Sequence, residues 1–222
     1  MKKPTVDYRQ FRFSKLNTPE FSHLKLLGGW IAYFILYLIT ENLIPQSRCH
    51  IVHSALDDMI PFTEGFAIPY CFWFLLIVIT LGWFLLYDVE SFKRVQVFIM
   101  VTQAVAMLVY IVWPSMQDLR PTEFPRDNFL THVMAFIYQF DTPTGVCPSL
   151  HVAYSLGMAS VWCKCKKASP WWKAFVVFAA VVISAATAFV KQHSVIDIFA
   201  AIPLGVLAEV LTFRVFYPKS KQ

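Results

Sequence analysis

Charge is what this chain has least of. Asp, Glu, Lys and Arg make up 15% of its 222 residues, against about a quarter in an ordinary soluble domain. That deficit excludes a polar, water-covered surface of normal extent. Also missing are internal repeats, low-complexity tracts and any stretch polar enough to form a separate soluble domain. Five cysteines are too few and too scattered for a disulfide framework. Cys49 and Cys147 would share one side of a membrane and are the single pair able to join; Cys163 and Cys165 make only a weak metal motif. The net charge of +5 raises nucleic acid as a partner, but no basic stripe alternates with aromatics, so nucleic acid is not expected. No cleavable leader with a short apolar core precedes the first apolar run, which is therefore expected to be retained.

What is present in excess is apolar surface. Hydrophobic residues reach 57% and aromatics 17%, with a mean hydropathy of +0.54. A membrane helix needs about 20 mostly apolar residues. Six runs qualify, at 26–45, 66–87, 95–113, 148–163, 173–190 and 194–214. The second and third are free of charge; the first carries Glu41 and the sixth Asp197 and Glu209. The fourth is short and opens on Cys147-Pro148-Ser149-Leu150-His151.

Basic residues then set the orientation. With the N-terminus inside, only Arg48, Arg120, Arg126 and Lys191 of the 19 Lys and Arg fall outside, as the positive-inside rule requires. The expected fold is an all-α polytopic membrane bundle of six transmembrane helices with both termini cytoplasmic. Residues 1–25 form a cytoplasmic segment, 26–216 the membrane domain and 217–222 a cytoplasmic tail. Two outer segments, 46–65 and 114–147, are longer than connectors need to be. The second holds Asn128–Phe140, which reads as a short amphipathic helix lying on the membrane surface. The many Phe and Trp residues are expected to face lipid or sit at its interfaces.

This topology brings His151, at the outer end of the fourth span, level with Lys191-Gln192-His193-Ser194-Val195-Ile196-Asp197 at the outer start of the sixth. His193 and Asp197 are four apart, so they share a helix face and the carboxylate can hold one imidazole nitrogen. An Asp inside a span is costly and marks a functional site; the plainer alternative is a structural bond to His193 alone. His50 and His53 with Asp57 and Asp58 admit three readings: a metal site, headgroup recognition or, favoured, a solvated loop. His132 reads as interfacial.

Pro148-Ser149-Leu150-His151 resembles the Pro-Ser-Gly-His signature of the type 2 phosphatidic acid phosphatase and haloperoxidase superfamily. His193-Ser194-Val195-Ile196-Asp197 is similar to the His-x-x-x-Asp of its last signature, and Arg120-Pro121 to the Arg-Pro ending its first. The three occur in the family's order. The resemblance implies that His193 attacks phosphorus to form a phosphohistidine and that Asp197 orients its ring. It further implies that His151 protonates the leaving oxygen and that Arg120 binds substrate. Ser149 and the amides opening the fourth helix would hold phosphate oxygens. No metal or other cofactor is implied.

Departures bear on the substrate. Trp113 stands where the family has a lysine, Thr187 where it has an arginine, Ala186 for a serine and Leu150 for a glycine. Lys191 and Arg126 are the candidate replacements for the missing cations. A site short of cations suits a singly charged phosphodiester better than a doubly charged monoester. Residues 56–70, Leu-Asp-Asp-Met-Ile-Pro-Phe through Tyr70, also resemble the segment before the second span in the inositol phosphorylceramide and sphingomyelin synthase-like branch. The favoured expectation is a membrane enzyme moving a phosphate or phospho-headgroup from a phospholipid or other lipid phosphate to an alcohol or water. A phosphatase of lipid monoesters or diphosphates comes second, and a non-catalytic lipid-binding or transport protein third.

Overall fold

The computed structural model describes residues 3–218. Lys2 and the end of the expected tail, 219–222, lie outside the described residues. The described residues form eight α-helices and one short strand pair. The helices are α1 (Gly28–Leu43), α2 (Ala55–Met59), α3 (Ala67–Tyr87), α4 (Val89–Val112), α5 (Phe129–Phe140), α6 (Leu150–Lys164), α7 (Pro170–Phe189) and α8 (Val195–Val210). Strand β1 (His50–Ile51) pairs in parallel with β2 (Ser115–Met116). The pair departs from a purely helical expectation, and it ties the first outer segment to the second.

Local sequence sets the helix ends. Asp88, Asn128, Ser149, Ser169 and Ser194 each accept a backbone N–H of the first turn of the helix that follows them, which satisfies a donor that would otherwise be orphaned. Two of these caps correct the expected boundaries. Asp88 starts α4 at Val89, so Lys93 and Arg94 belong to its first turns rather than to a loop. Ser169, with Pro170 at the first helical position, starts α7 three residues early and takes Lys173 into the helix. The residues before α1 are not a free tail either. Phe21 is fully buried, Thr5 N–H donates to Leu86 O at 2.7 Å, and Tyr8 OH donates to Leu85 O at 2.7 Å.

Five helices are long and apolar enough to cross a membrane: Ser22–Leu43, Glu64–Tyr87, Val89–Val112, Pro170–Phe189 and Val195–Phe216. The fourth expected span is not among them. At 15 residues, α6 is about 22 Å long at 1.5 Å per residue, short of a hydrocarbon core of about 30 Å. It packs instead against α4, α7 and α8. Nine of its residues are buried, including Tyr154, Ser155 and Trp162. A helix wrapped in protein does not need a lipid-matched, uniformly apolar surface, which is why this run looked weak in the sequence.

Close approach to α6 depends on glycine. A Cβ on Gly157 would sit 2.4 Å from Cδ1 of Phe98 on α4, inside van der Waals contact. Polar pairs pin the same bundle: Trp162 Nε1 donates to Thr80 Oγ1 at 3.0 Å and Trp30 Nε1 to Gln96 Oε1 at 3.0 Å. All five cysteines are free, Cys49 and Cys147 included. Gly157→Ala should therefore destabilise the protein by about 1–3 kcal/mol through overpacking against a buried ring. Gly82→Ala, whose Cβ meets nothing within 4 Å, should be neutral or slightly stabilising. Reversible unfolding in mixed micelles measures both; equal effects would refute the tight α4–α6 contact.

Candidate active site

Between α7 and α8 the chain reverses over five residues. Gln192 and His193 N–H both donate to Thr187 O, at 2.9 and 3.1 Å, and Lys191 N–H donates to Ala188 O at 3.0 Å. These bonds cap the last carbonyls of α7. Lys191 reaches them with φ at +53°, a left-handed conformation usual at a helix C-terminus but costly for a side chain other than glycine. Ser194 then begins α8, its Oγ accepting from Ile196 N–H at 3.1 Å.

His193 is thus held between one helix end and the next helix start. Asp197 Oδ2 accepts from Ser194 N–H at 2.9 Å and faces His193 Nδ1 at 3.2 Å. One carboxylate oxygen completes the capping box of α8 and fixes the imidazole. With Nδ1–H donating to Asp197, the lone pair of neutral His193 lies on Nε2. That atom is 3.4 Å from His151 Nδ1. His151 occupies the first turn of α6, which is tied to α8 by Ser149 N–H donating to Asp197 O at 3.1 Å. Its ring lies against Trp73 and Tyr70, with centroids at 4.2 and 4.7 Å. His151 Nε2 has no hydrogen-bond partner among the described residues.

Both histidines line a cavity of about 480 Å³. Its wall is largely aromatic: Trp30, Tyr33 and Tyr37 from α1, Tyr70, Trp73 and Phe74 from α3, with Tyr110 and Tyr154. Phe34, Phe74, Phe136 and Phe140, all exposed, stand at its rim. The polar lining beside the histidines includes Gln192 and Asp141. Asp141 Oδ1 accepts from Tyr37 OH at 3.3 Å and Oδ2 from Gln192 Nε2 at 3.2 Å. Burial pushes its carboxyl above the usual range, with the Arg120 guanidinium pulling the other way. Behind it, Glu41 accepts from Thr142 and Thr144 hydroxyls.

The expected substrate ligands do not line this cavity. Arg120 donates to Tyr138 O (3.1 Å), Asp141 O (2.8 Å), Thr142 O (3.1 Å) and Gln192 Oε1 (2.6 Å). It clips the carbonyl end of α5 to the His193 turn. Ser149 is fully buried and serves as the cap of α6. Lys191 turns away, its Nζ donating to Asp57 O at 2.7 Å, and burial lowers its pKa. Arg126 pairs with Glu64 at 2.8 Å on the surface. Ser149 stands at the opening of α6 as expected, while each of the three cations is claimed by a nearer carbonyl, amide or carboxylate oxygen.

The first outer segment is solvated at His50, His53 and Asp58, which are exposed, but not at Asp57. Asp57 is buried and joins the start of α8, while His50 stacks on Trp113 at 5.1 Å. No cluster of three or more His, Cys, Asp or Glu able to hold a metal occurs among the described residues. His132 pairs with Asp127 on the surface. Sequence reasoning missed Asp141, Gln192 and the aromatic wall, whose members are spread over α1, α3, α4 and α6. Asp57 carried one readable signal, the Ser54-x-x-Asp57 capping box. No family model, curated protein or solved structure matches this chain.

His53 clamps this side of the molecule, facing Asp118 Oδ1 with Nδ1 at 2.8 Å and Asp58 Oδ1 with Nε2 at 2.9 Å. The bonds to Asp118 first and Asp58 second raise its pKa above 6.5. A raised histidine pKa adds stability that is complete below the unfolded value and is lost as pH rises through the folded one. The melting temperature of wild type should therefore exceed that of His53→Gln in mildly acidic buffer, and the gap should close in alkaline buffer. A gap independent of pH would exclude the charged clamp.

Proposed function

We propose that this chain is a membrane enzyme that transfers a phospho-headgroup from a lipid phosphodiester to an alcohol acceptor through a phosphohistidine on His193. The observation that carries this reading is the hydrogen-bonded line Asp197–His193–His151 at the head of an aromatic cavity. Asp197 keeps Nδ1 protonated, which leaves the lone pair of His193 on Nε2; substrate entering between the rings replaces the contact with His151 Nδ1, and Nε2 attacks phosphorus. Protonated His151 gives its proton to the departing lipid alcohol. The acceptor alcohol then loses a proton to His151 as its oxygen displaces His193 from phosphorus, and both imidazoles return to their starting states. A base of this type contributes about 10²–10⁴-fold, and the positioned nucleophile splits one hard step into two.

Charge supports a diester over a monoester. Arg120, Lys191 and Arg126 are all committed to protein oxygens, while the cavity wall offers the Asp141 carboxyl and many rings. Doubly charged phosphate would meet no free cation there. A zwitterionic diester fits, because its positive headgroup would be held by ring faces and by Asp141. The chain is read as six-span, with the short α6 enclosed by the others and both termini cytoplasmic, as its basic residues suggest. In this reading α5 lies at the outer interface with Phe129, Phe136 and Phe140 toward lipid, and the cavity opens to the extracytoplasmic leaflet of the cell membrane.

The deciding experiment supplies detergent-purified protein with two substrates, a zwitterionic diester lipid labelled at phosphorus and labelled phosphatidate, each with and without a lipid alcohol. Label should pass from the diester to the alcohol, and an acid-labile phosphoenzyme should form. His193→Ala should abolish both, a loss of several kcal/mol of barrier lowering. Asp141→Asn should lower kcat/KM for the diester and raise it for phosphatidate. Release of inorganic phosphate from phosphatidate alone would make the enzyme a phosphatase, and turnover by His193→Ala would remove the nucleophile.

Orientation has its own check. Single cysteines replacing Lys166 and Asp127 should react with an impermeant thiol reagent only from the cytoplasmic and only from the outer face, respectively. Labelling of both from one face would overturn the proposed topology.

A further inference from the structure

Asp57 is a carboxylate with almost no solvent, 2% exposed, and beyond the cap of its own helix its partners lie far away in sequence. Oδ2 accepts from Ser194 Oγ at 2.6 Å and from Ser54 N–H at 2.8 Å. Oδ1 accepts from Val195 N–H at 2.8 Å. Its own backbone carbonyl accepts from Lys191 Nζ at 2.7 Å. One residue of α2 therefore grips the chain on both sides of His193, at 191 before it and at 194–195 after it.

Capping of the Val195 N–H accounts for one of these bonds, and the bonds to Ser194 Oγ and from Lys191 Nζ go beyond it. The first turn of α8 already has Ser194 Oγ on Ile196 N–H and Asp197 on Ser194 N–H. Burying a second carboxylate at the same helix start costs desolvation that its donors and the helix dipole must offset. What it adds is a fixed orientation of the peptide carrying His193. The bonds from 191–193 to the end of α7 restrain the turn from that side; Asp57 restrains it from the other, through the Lys191 side chain and the Val195 N–H.

We infer that Asp57 is a positioning residue for His193: it acts through Ser194, Val195 and Lys191 to aim Nε2 into the cavity, and it does not touch substrate. The part of this inference that concerns turnover rests on the proposed phosphohistidine reading; the part that concerns the turn does not. It gives the first outer segment a task at the turn that carries His193.

The test compares wild type, Asp57→Ala, Asp57→Asn and, as control, Asp127→Asn, an exposed carboxylate whose one recorded partner is His132. Amide hydrogen exchange resolved by fragment is measured for all four, and kcat and KM are taken on the substrate identified above. The number of active sites is counted from the phosphoenzyme burst. Asp57→Ala should speed exchange at 190–196 while the α4 and α6 amides keep wild-type protection. It should lower kcat per active site about 100-fold, the scale for a misplacement of about 1 Å, with KM within about twofold. Asp57→Asn, which retains one acceptor, should recover part of kcat, and Asp127→Asn should match wild type. Unchanged exchange at 190–196 would overturn the inference, as would faster exchange in every helix or a loss confined to the number of active sites. Should wild type turn over no lipid phosphate, the proposed function falls, and exchange at 190–196 alone decides whether Asp57 holds the turn.

Discussion

A single carboxylate oxygen, Oδ2 of Asp197, joins the fold of this protein to the geometry of its histidine pair. It must accept Ser194 N–H for α8 to begin where it does, and it faces His193 Nδ1. The capping-box spacing of three and the histidine spacing of four meet on the same atom. Because the cap sets the side-chain rotamer, the imidazole inherits a fixed direction from the helix start itself. Any change that frays the first turn of α8 therefore also misaims the ring.

The bundle is arranged to deliver a second imidazole to that point. α6 is too short to match a bilayer, yet it is the helix the others surround, and its first turn stops level with the His193 turn. Glycine at 157 lets α4 come close, and Ser149 N–H bonds to the backbone of Asp197. Shortness and centrality have one cause. A short helix enclosed by longer ones places its N-terminal residues inside the protein, where aromatic rings stand against His151.

Much of this was legible in the chain and some was not. Long apolar runs gave α1, α3, α4, α7 and α8, since a membrane-length helix leaves a signal in every residue. His193 and Asp197 were legible because both lie on one helix start. The strand pair was not, since two residues on each side leave no period to read. Nor were the partners of Arg120, Lys191 and Arg126. A cation in a sequence announces its charge but not which oxygen will claim it, and here carbonyls freed at the end of α5 and at Asp57 lie nearer than the cavity. The boundaries of α4 and α7 were set too late because apolarity was followed where the caps, Asp88 and Ser169, decide.

Those commitments bear on the proposed phosphate chemistry, which would have to work with little free positive charge at the cavity. Arg120 neutralises no ligand directly, but it gathers the carbonyls of 138, 141 and 142 and the side chain of Gln192 around one guanidinium. In doing so it holds Asp141 beside the histidines. A carboxyl held there in poor solvent, its pKa raised by burial, is stabilised by any positive group that approaches. Under the proposed reading, the ligand's cation joins the Arg120 guanidinium, 4.0 Å away, in facing this carboxyl. In that reading a zwitterionic diester would set its cation against the rings and Asp141 and leave its phosphorus to the imidazoles. A bare phosphate monoester lacks the cation and would bring two negative charges to a carboxyl, and the same geometry that favours the first disfavours the second.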